Sequence, residues 1–444
     1  MERFTCDWAF KTLVVLCDGK VVCGCADPRG ERPVGDLTTD SVADVWNGPV
    51  LSEVRDGLRR GHAPFCLNCG IRRPLLPDEP VPQMEAPPMP QRAFIEPAVT
   101  CNISCYRAHC SREAKLALTR RQSTMDMATF TGIMQQMGES LHRLELFNYG
   151  ETFVNAGAID MIRMVKQRWP HVYLFVSTNG LLLDAPDKIA GLVESGADEI
   201  TFSIDGSSPA VYERYRRGGD FNRAIKNMGA LVAARNAAGR ESPIVNWRYI
   251  LFNWNDSDEE MNGARRMAMC LGVDRLCWEI TDHPPGCAST RYAPGTSDYD
   301  RIRHEIWGES GLANALPDRR MMAYIRPPWR PLRLEAGRPV TLWIKVRNVG
   351  TRPWPNVTPT GSRFVRLGAQ LLDHQRSLLD RDFARAFLPS VVKPAETVPI
   401  PLTLTPPPAP GQYVLKFDMV CEGVGWFEDG GSGVRFKNMR VKSP

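Results

Sequence analysis

No stretch of this 444-residue chain approaches the roughly 20 consecutive apolar residues that a membrane-spanning helix needs. The opening residues, Met1-Glu2-Arg3-Phe4-Thr5-Cys6, contain no apolar signal region, so the expected location is cytoplasmic, with no membrane partner. An excess of one charge is also missing. Lys and Arg number 55 against 50 Asp and Glu, a formal net of +5, and the cations are scattered rather than gathered in a stripe. That argues against nucleic acid as a partner. Cysteine all but disappears from the last third, where Cys421 stands alone.

What remains is the composition of an ordinary globular protein, 43% hydrophobic and 24% charged, long enough for two or three domains. Its 13 cysteines are concentrated at the front: nine fall in the first 110 residues and three between Cys270 and Cys287. In a reducing compartment that pattern points to metal or catalysis rather than disulfides. The densest run is Cys101-Asn102-Ile103-Ser104-Cys105-Tyr106-Arg107-Ala108-His109-Cys110, directly after a strand-like apolar stretch. Three thiolates this close can hold three irons of a cubane cluster and leave the fourth iron open. Zinc is the alternative, with His109 as a possible fourth ligand.

Further strand-like runs end in short polar signatures: Asn148-Tyr149-Gly150-Glu151-Thr152, Ser177-Thr178-Asn179-Gly180 and Ser203-Ile204-Asp205-Gly206. In this order, after a cysteine triplet, they resemble the radical S-adenosylmethionine (SAM) superfamily over about residues 93–283. The fold class implied is α/β, a partial (β/α)6 barrel. The triplet spacing here, C-x3-C-x4-C, departs from the usual C-x3-C-x2-C. The resemblance implies a [4Fe–4S] cluster on Cys101, Cys105 and Cys110 whose open iron binds SAM. Reductive cleavage of SAM would then yield a 5′-deoxyadenosyl radical that takes hydrogen from a substrate carbon. It also implies that Gly150 and Glu151 receive the SAM amino group, that Ser177, Asn179, Ser203 and Asp205 line its ribose and carboxylate side, and that Arg248 pairs with its carboxylate. A reducing partner such as flavodoxin or ferredoxin would supply the electron.

Ahead of the barrel, Leu13 to Leu16 and Val21-Val22 around Asp18-Gly19 read as a β-hairpin. Ser41 with Asp44 three places on opens a helix, a second helix covers residues 51–60, and Cys66-Leu67-Asn68-Cys69 closes the segment. Two cysteine groups on two turns fit a zinc ribbon. The wider pattern resembles a SPASM/twitch-type auxiliary-cluster domain, which usually follows the barrel rather than preceding it. That implies one auxiliary [4Fe–4S] cluster on Cys6, Cys66 and Cys69 with either Cys23 or Cys25 as the fourth ligand. Cys17, inside the strand, reads as a buried small residue.

The expected layout is an N-terminal cluster-binding domain (1–71), a proline-rich semi-rigid linker (72–92), the barrel (93–290), a connecting segment (291–324) and an Ig-like β-sandwich (325–444). Barrel strands are expected near 94–97, 144–147, 172–176, 199–203, 245–251 and 275–280, with the polar signatures at their C-terminal ends, where active sites gather. Cys270 and Cys277 read as core residues, and Cys287, just past the sixth strand, as a possible hydrogen donor to a substrate radical. The sandwich carries Trp354 and Trp426, which could stack on a sugar. The resulting expectation is oxidation or epimerisation of a small molecule, carbohydrate or glycosylated natural product. A peptide-modifying maturase and a non-catalytic metal-binding scaffold whose sandwich binds glycans are the alternatives.

Overall fold

The alternating run at the front of the chain forms its expected hairpin. Thr12–Val15 and Lys20–Val22 pair antiparallel around Gly19, whose φ of +86° lies in the left-handed region that favours glycine. The computed structural model describes residues 3–106, 110–240, 242–307, 321–328, 330–350, 353–356, 364–394, 396–422, 425–430 and 432–443. In it the hairpin joins the barrel sheet. Thr12–Val15 runs parallel to the first barrel strand, Arg92–Ile95, with Val14 opposite Phe94. Pro33–Asp36 adds a further strand to the outer side of Lys20–Val22. The N-terminal strands therefore extend the barrel sheet, and residues 1–276 with 281–288 form one compact unit. Residues 277–280 and 289–444 form a second.

Buried charge fixes the junction between hairpin and barrel. Glu96 accepts from the Cys17 N–H at 3.0 Å and from Arg120 Nε at 3.1 Å, and both side chains of that ion pair are fully buried. Cys17 is buried as expected, its thiol donating to the Gln122 carbonyl at 3.2 Å. Removing one member of a buried pair leaves the other charge uncompensated. Glu96→Ala is therefore expected to cost about 3–5 kcal/mol in a urea unfolding titration.

Ser41 caps Val42–Trp46 by accepting from the Asp44 N–H at 3.1 Å, and Pro49–Arg59 is the helix that follows. The proline-rich stretch is docked against these helices and is not a free spacer. Trp46 Nε1 donates to the Pro87 carbonyl at 2.8 Å, Asn47 Nδ2 to the Pro88 carbonyl at 3.2 Å and Arg59 Nε to the Met84 carbonyl at 3.1 Å. Proline has no N–H to offer, but its carbonyl and those of its neighbours remain acceptors.

Beyond Arg92–Ile95, the strands Arg143–Glu145, Tyr173–Thr178, Glu199–Ser203 and Ile244–Leu251 follow in spatial order, each parallel to the last. The helices Met127–Met137, Ala158–Arg168, Pro186–Glu194 and Phe221–Ala237 lie in the connections, and Asp258–Leu271 leads to the strand Arg275–Ile280. Parallel strands joined by helical crossovers bring all their C-terminal ends to one side of the sheet. Among the described residues no helix is long and apolar enough to cross a membrane.

The second unit contains two sheets around one core. Ala323–Arg326, Val340–Asn348 and Thr397–Leu404 form one; Leu332–Glu335, Arg435–Lys442, Gly411–Cys421, Val365–Asp373 and Leu378–Phe387 form the other. Ile344, Leu367, Ile400 and Phe417 are fully buried between them. Trp354 and Trp426 are not available as sugar platforms. They are 0% and 6% exposed, Trp354 edge-on to Phe427 and Trp426 beneath the Arg385 guanidinium.

Candidate functional site

The segment leading from the first barrel strand to Cys101 is held by the next strand's end. A Cβ on Gly150 would lie 2.2 Å from the Ala98 carbonyl oxygen and 2.6 Å from that of Thr100, so only glycine permits this approach. The Glu151 N–H donates to the Thr100 carbonyl at 2.9 Å, and the Ser111 hydroxyl donates to the Val99 carbonyl from the far side of the cysteine loop. The Glu151 carboxylate is buried and accepts from the Thr178 hydroxyl at 2.6 Å, the Asn179 N–H at 2.7 Å and the Phe153 N–H at 3.3 Å. Burial raises its pKa against those hydrogen bonds. This side chain, expected to accept from a SAM amino group, is already engaged as a bracket between two strand ends.

Asn179 Nδ2 donates to Asn102 Oδ1 at 2.7 Å and lies 3.8 Å from the Cys101 sulfur, while its Oδ1 accepts from the Leu181 N–H at 3.0 Å. Ser177 and Ser203 face each other on adjacent strands with hydroxyl oxygens 3.3 Å apart. Arg248, half-buried on the fifth strand, is the register partner of Ser203. Asp205, fully buried, accepts from Arg216 Nε at 2.6 Å and from the Ile250 N–H at 2.7 Å. Arg216 then reaches the Cys105 sulfur with Nη1 at 3.5 Å. It can do so because Arg216–Arg217 pairs antiparallel with Ser104–Cys105, extended by the Tyr106 N–H to the Tyr215 carbonyl at 2.8 Å. The sequence barely marks Arg216 as a site residue. Its one signal is the run Tyr215-Arg216-Arg217-Gly218-Gly219, two cations before a flexible pair.

The three triplet thiols lie close enough on this loop to act on one another's charge. The Cys105 N–H donates to the Cys110 sulfur at 3.2 Å. The Cys105 thiol, together with the backbone N–H groups of Arg112 and Glu113, pushes the Cys110 thiol down to about 5. The same contact pushes the Cys105 thiol well up, and burial raises Cys101, so the fit to an iron–sulfur cluster rests on three soft sulfur donors carried by one loop. His109, the possible zinc ligand, lies outside the described residues.

A second set of thiols lines one cavity in the N-terminal segment: Cys6, Cys23, Cys66 and Cys69. Burial pushes Cys23 up to about 12 and Cys66 up to about 11, and the neighbouring cysteines add to both. Four soft sulfur donors gathered in one cavity fit a cationic cluster core that would take all four as thiolates. Cys25 is elsewhere. It packs with Val14, Leu16 and Phe94 beside Tyr149, whose hydroxyl donates to the Cys25 carbonyl at 2.7 Å, and its charged neighbours are Glu145, Arg92 and Glu96.

Cys287 is buried with Ile250 and Phe252 against Tyr106, Tyr215 and Trp254. Cys277 is buried, whereas Cys270, expected in the core, is exposed on its helix.

Residues 95–261 match the model of the radical SAM superfamily, and residues 6–70 that of the SPASM iron–sulfur cluster-binding domain. PqqA peptide cyclase of Gluconobacter oxydans is 30% identical over 132 residues, 30% of this chain and 35% of that protein. GTP 3′,8-cyclase of Limosilactobacillus fermentum is 23% identical over 134 residues, 30% of this chain and 39% of that protein. The chain thus spans little more than a third of the length of these relatives. Among solved structures, Streptococcus suis SuiB bound to S-adenosylmethionine aligns over 51% of this chain and 49% of that one, with a TM-score of 0.37 and 14% identity.

Arg216→Gln is expected to lower iron retention by the triplet about 10- to 100-fold, the range for partners that orient metal ligands, with Asp205→Asn acting in the same direction. Iron per chain, measured under chelator challenge, checks this. The family models imply a [4Fe–4S] cluster with SAM and an auxiliary iron–sulfur group, and the two sets of thiols are the donors that would hold the clusters. Residues 95–261 are thus a radical SAM domain, preceded at residues 6–70 by an iron–sulfur cluster-binding SPASM domain.

Proposed function

We propose that this protein takes a hydrogen atom from a carbon of a peptide and so modifies that peptide. The observation that carries the radical chemistry is the loop that presents Cys101, Cys105 and Cys110 together at the C-terminal ends of the barrel strands, braced by Asn179 and by Arg216. These three would hold the SAM-binding cluster, and Cys6, Cys23, Cys66 and Cys69 the auxiliary one. When bound, the cluster and SAM supply the 5′-deoxyadenosyl radical.

The chain's own contribution is placement. Arg216 sets its fixed positive charge beside the Cys105 sulfur and is itself oriented by Asp205. Asn179 holds the Cys101 end, and the bracket at Glu151 keeps the second and third strand ends in register with it. Ser177, Ser203 and Arg248 remain the polar groups proposed to face SAM. A flavodoxin or ferredoxin is the proposed electron donor.

A peptide is favoured over a carbohydrate for two reasons. The expectation of a sugar comes from the Ig-like sandwich, and the two tryptophans it offered as platforms, Trp354 and Trp426, are buried. The relative with 30% identity is a peptide cyclase. The test is anaerobic reconstitution with iron and sulfide, then incubation with SAM, dithionite and panels of short peptides and oligosaccharides. A peptide product that has lost hydrogen, formed together with 5′-deoxyadenosine, is the expected result. A modified sugar with every peptide unchanged would sink the peptide assignment and leave the radical chemistry standing.

A further inference from the structure

Arg55, on the helix Pro49–Arg59, is 5% exposed and held by neutral groups. Its Nε donates to the Ala9 carbonyl at 2.8 Å, its Nη1 to the Trp46 carbonyl at 2.7 Å, and the guanidinium carbon sits 4.3 Å from the Trp46 ring centre. Its second terminal nitrogen, Nη2, is buried without a hydrogen-bond partner among the described residues. No carboxylate pairs with it there. The titratable groups that act on it are Arg59, which repels it, and the Cys23 thiol. A guanidinium cannot shed its proton to escape such a site, and folded proteins rarely bury a cation without an anion.

An anion site is close by. Ala9, whose carbonyl holds Nε, lines the cavity of Cys6, Cys23, Cys66 and Cys69, and so does Leu58, one helical turn beyond Arg55. Arg32 and Arg72 stand in the same wall, with Arg32 fixed by donating Nη1 to the Phe65 carbonyl at 2.7 Å. The one carboxylate in that wall, Asp27, accepts from the N–H groups of Glu31 and Arg32 at 3.0 and 2.8 Å.

We propose that Arg55 is the built-in counter-cation of the anionic cluster held by Cys6, Cys23, Cys66 and Cys69, and that it keeps that cluster's reduction potential up. The proposal rests on the four-thiol assignment above. A cubane with four thiolate ligands is negatively charged, and reduction adds one more electron to it. A fixed buried cation favours the reduced form, and burial protects that effect from screening by salt. Arg55 acts here as a tuning residue that does not touch substrate.

Replacing Cys101, Cys105 and Cys110 together by alanine in the full chain isolates the auxiliary cluster. Its midpoint is then read by redox titration followed by electron paramagnetic resonance. Arg55→Met is expected to lower the midpoint by at least about 59 mV, a tenfold change in the reduced-to-oxidised ratio of a one-electron couple, with iron content unchanged. Arg55→Lys is expected to keep most of the parent value. A loaded Met variant with an unmoved midpoint overturns the proposal. So does a Lys variant shifted as far as the Met one, because that is the mark of a packing role. If the Met variant does not fold, Arg55→Gln removes the charge while keeping an amide donor, and the same criterion applies. A triplet-free chain that binds no iron overturns the four-thiol assignment itself, and the proposal with it.

Discussion

Alanine at Cys105 is expected to abolish 5′-deoxyadenosine formation while leaving roughly half of the bound iron, about four of about eight atoms per chain, on the thiolate count of the two sites. The substitution removes one sulfur and little else. The Cys105 N–H still reaches the Cys110 sulfur, and the antiparallel ladder to Arg216 uses main-chain groups that alanine retains. The loop should therefore keep its path, and the loss is one of ligation. The four thiols of the N-terminal cavity share no residue with the triplet, so their iron should stay. Iron and sulfide assays, run beside a chromatographic assay for 5′-deoxyadenosine, separate the outcomes. Undiminished SAM cleavage would show that the triplet is not the SAM site. Loss of all the iron would show that the two sites assemble as one.

The barrel was legible because its strand ends carry local signatures. Glu199–Ser203 and Arg275–Ile280 fall where their apolar runs place them, and each polar motif sits at the C-terminal end of its strand. Choices made across long distances were not legible. Cys23 and Cys25 flank Gly24, and no periodicity separates them. The backbone does: Gly24 has φ of +77°, and the turn it makes leaves Cys23 in the cavity with Cys66 while Cys25 goes to Phe94 and Tyr149. The pairing of Thr12–Val15 with Arg92–Ile95 spans some eighty residues of intervening chain, and an alternating strand does not name its parallel neighbour. Arg216 is the sharpest omission, because its role exists only where Ser104–Cys105 and Arg216–Arg217 meet. Leu378–Phe387 was not legible for a local reason, since the charged run Asp380-Arg381-Asp382 breaks its apolar alternation and its first five residues are exposed.

Gly150→Ala is expected to remove the triplet's iron and with it SAM cleavage, while the chain stays folded. The added methyl would lie 2.2 to 2.7 Å from three backbone atoms, the carbonyl oxygens of Ala98 and Thr100 and the carbonyl carbon of Val99. None of these is a side chain that can rotate away, so the segment before Cys101 must move. That segment is pinned at both ends, by the Glu151 N–H at Thr100 and by the Ser111 hydroxyl at Val99, so a shift there carries the first ligand with it. Overpacking of this kind costs about 1–3 kcal/mol, small beside the stability of a domain and large beside the tolerance of a three-point metal site. Gly132→Ala makes the contrast. It lies in the helix Met127–Met137 with nothing within 4 Å of its new Cβ, and alanine there should stabilise the protein by up to about 1 kcal/mol without touching the iron. Urea titrations with parallel iron assays distinguish the two. If Gly150→Ala destabilised the protein yet kept full iron, the approach of this strand end would be a packing contact alone, and the positioning of Cys101 would fall to Asn179.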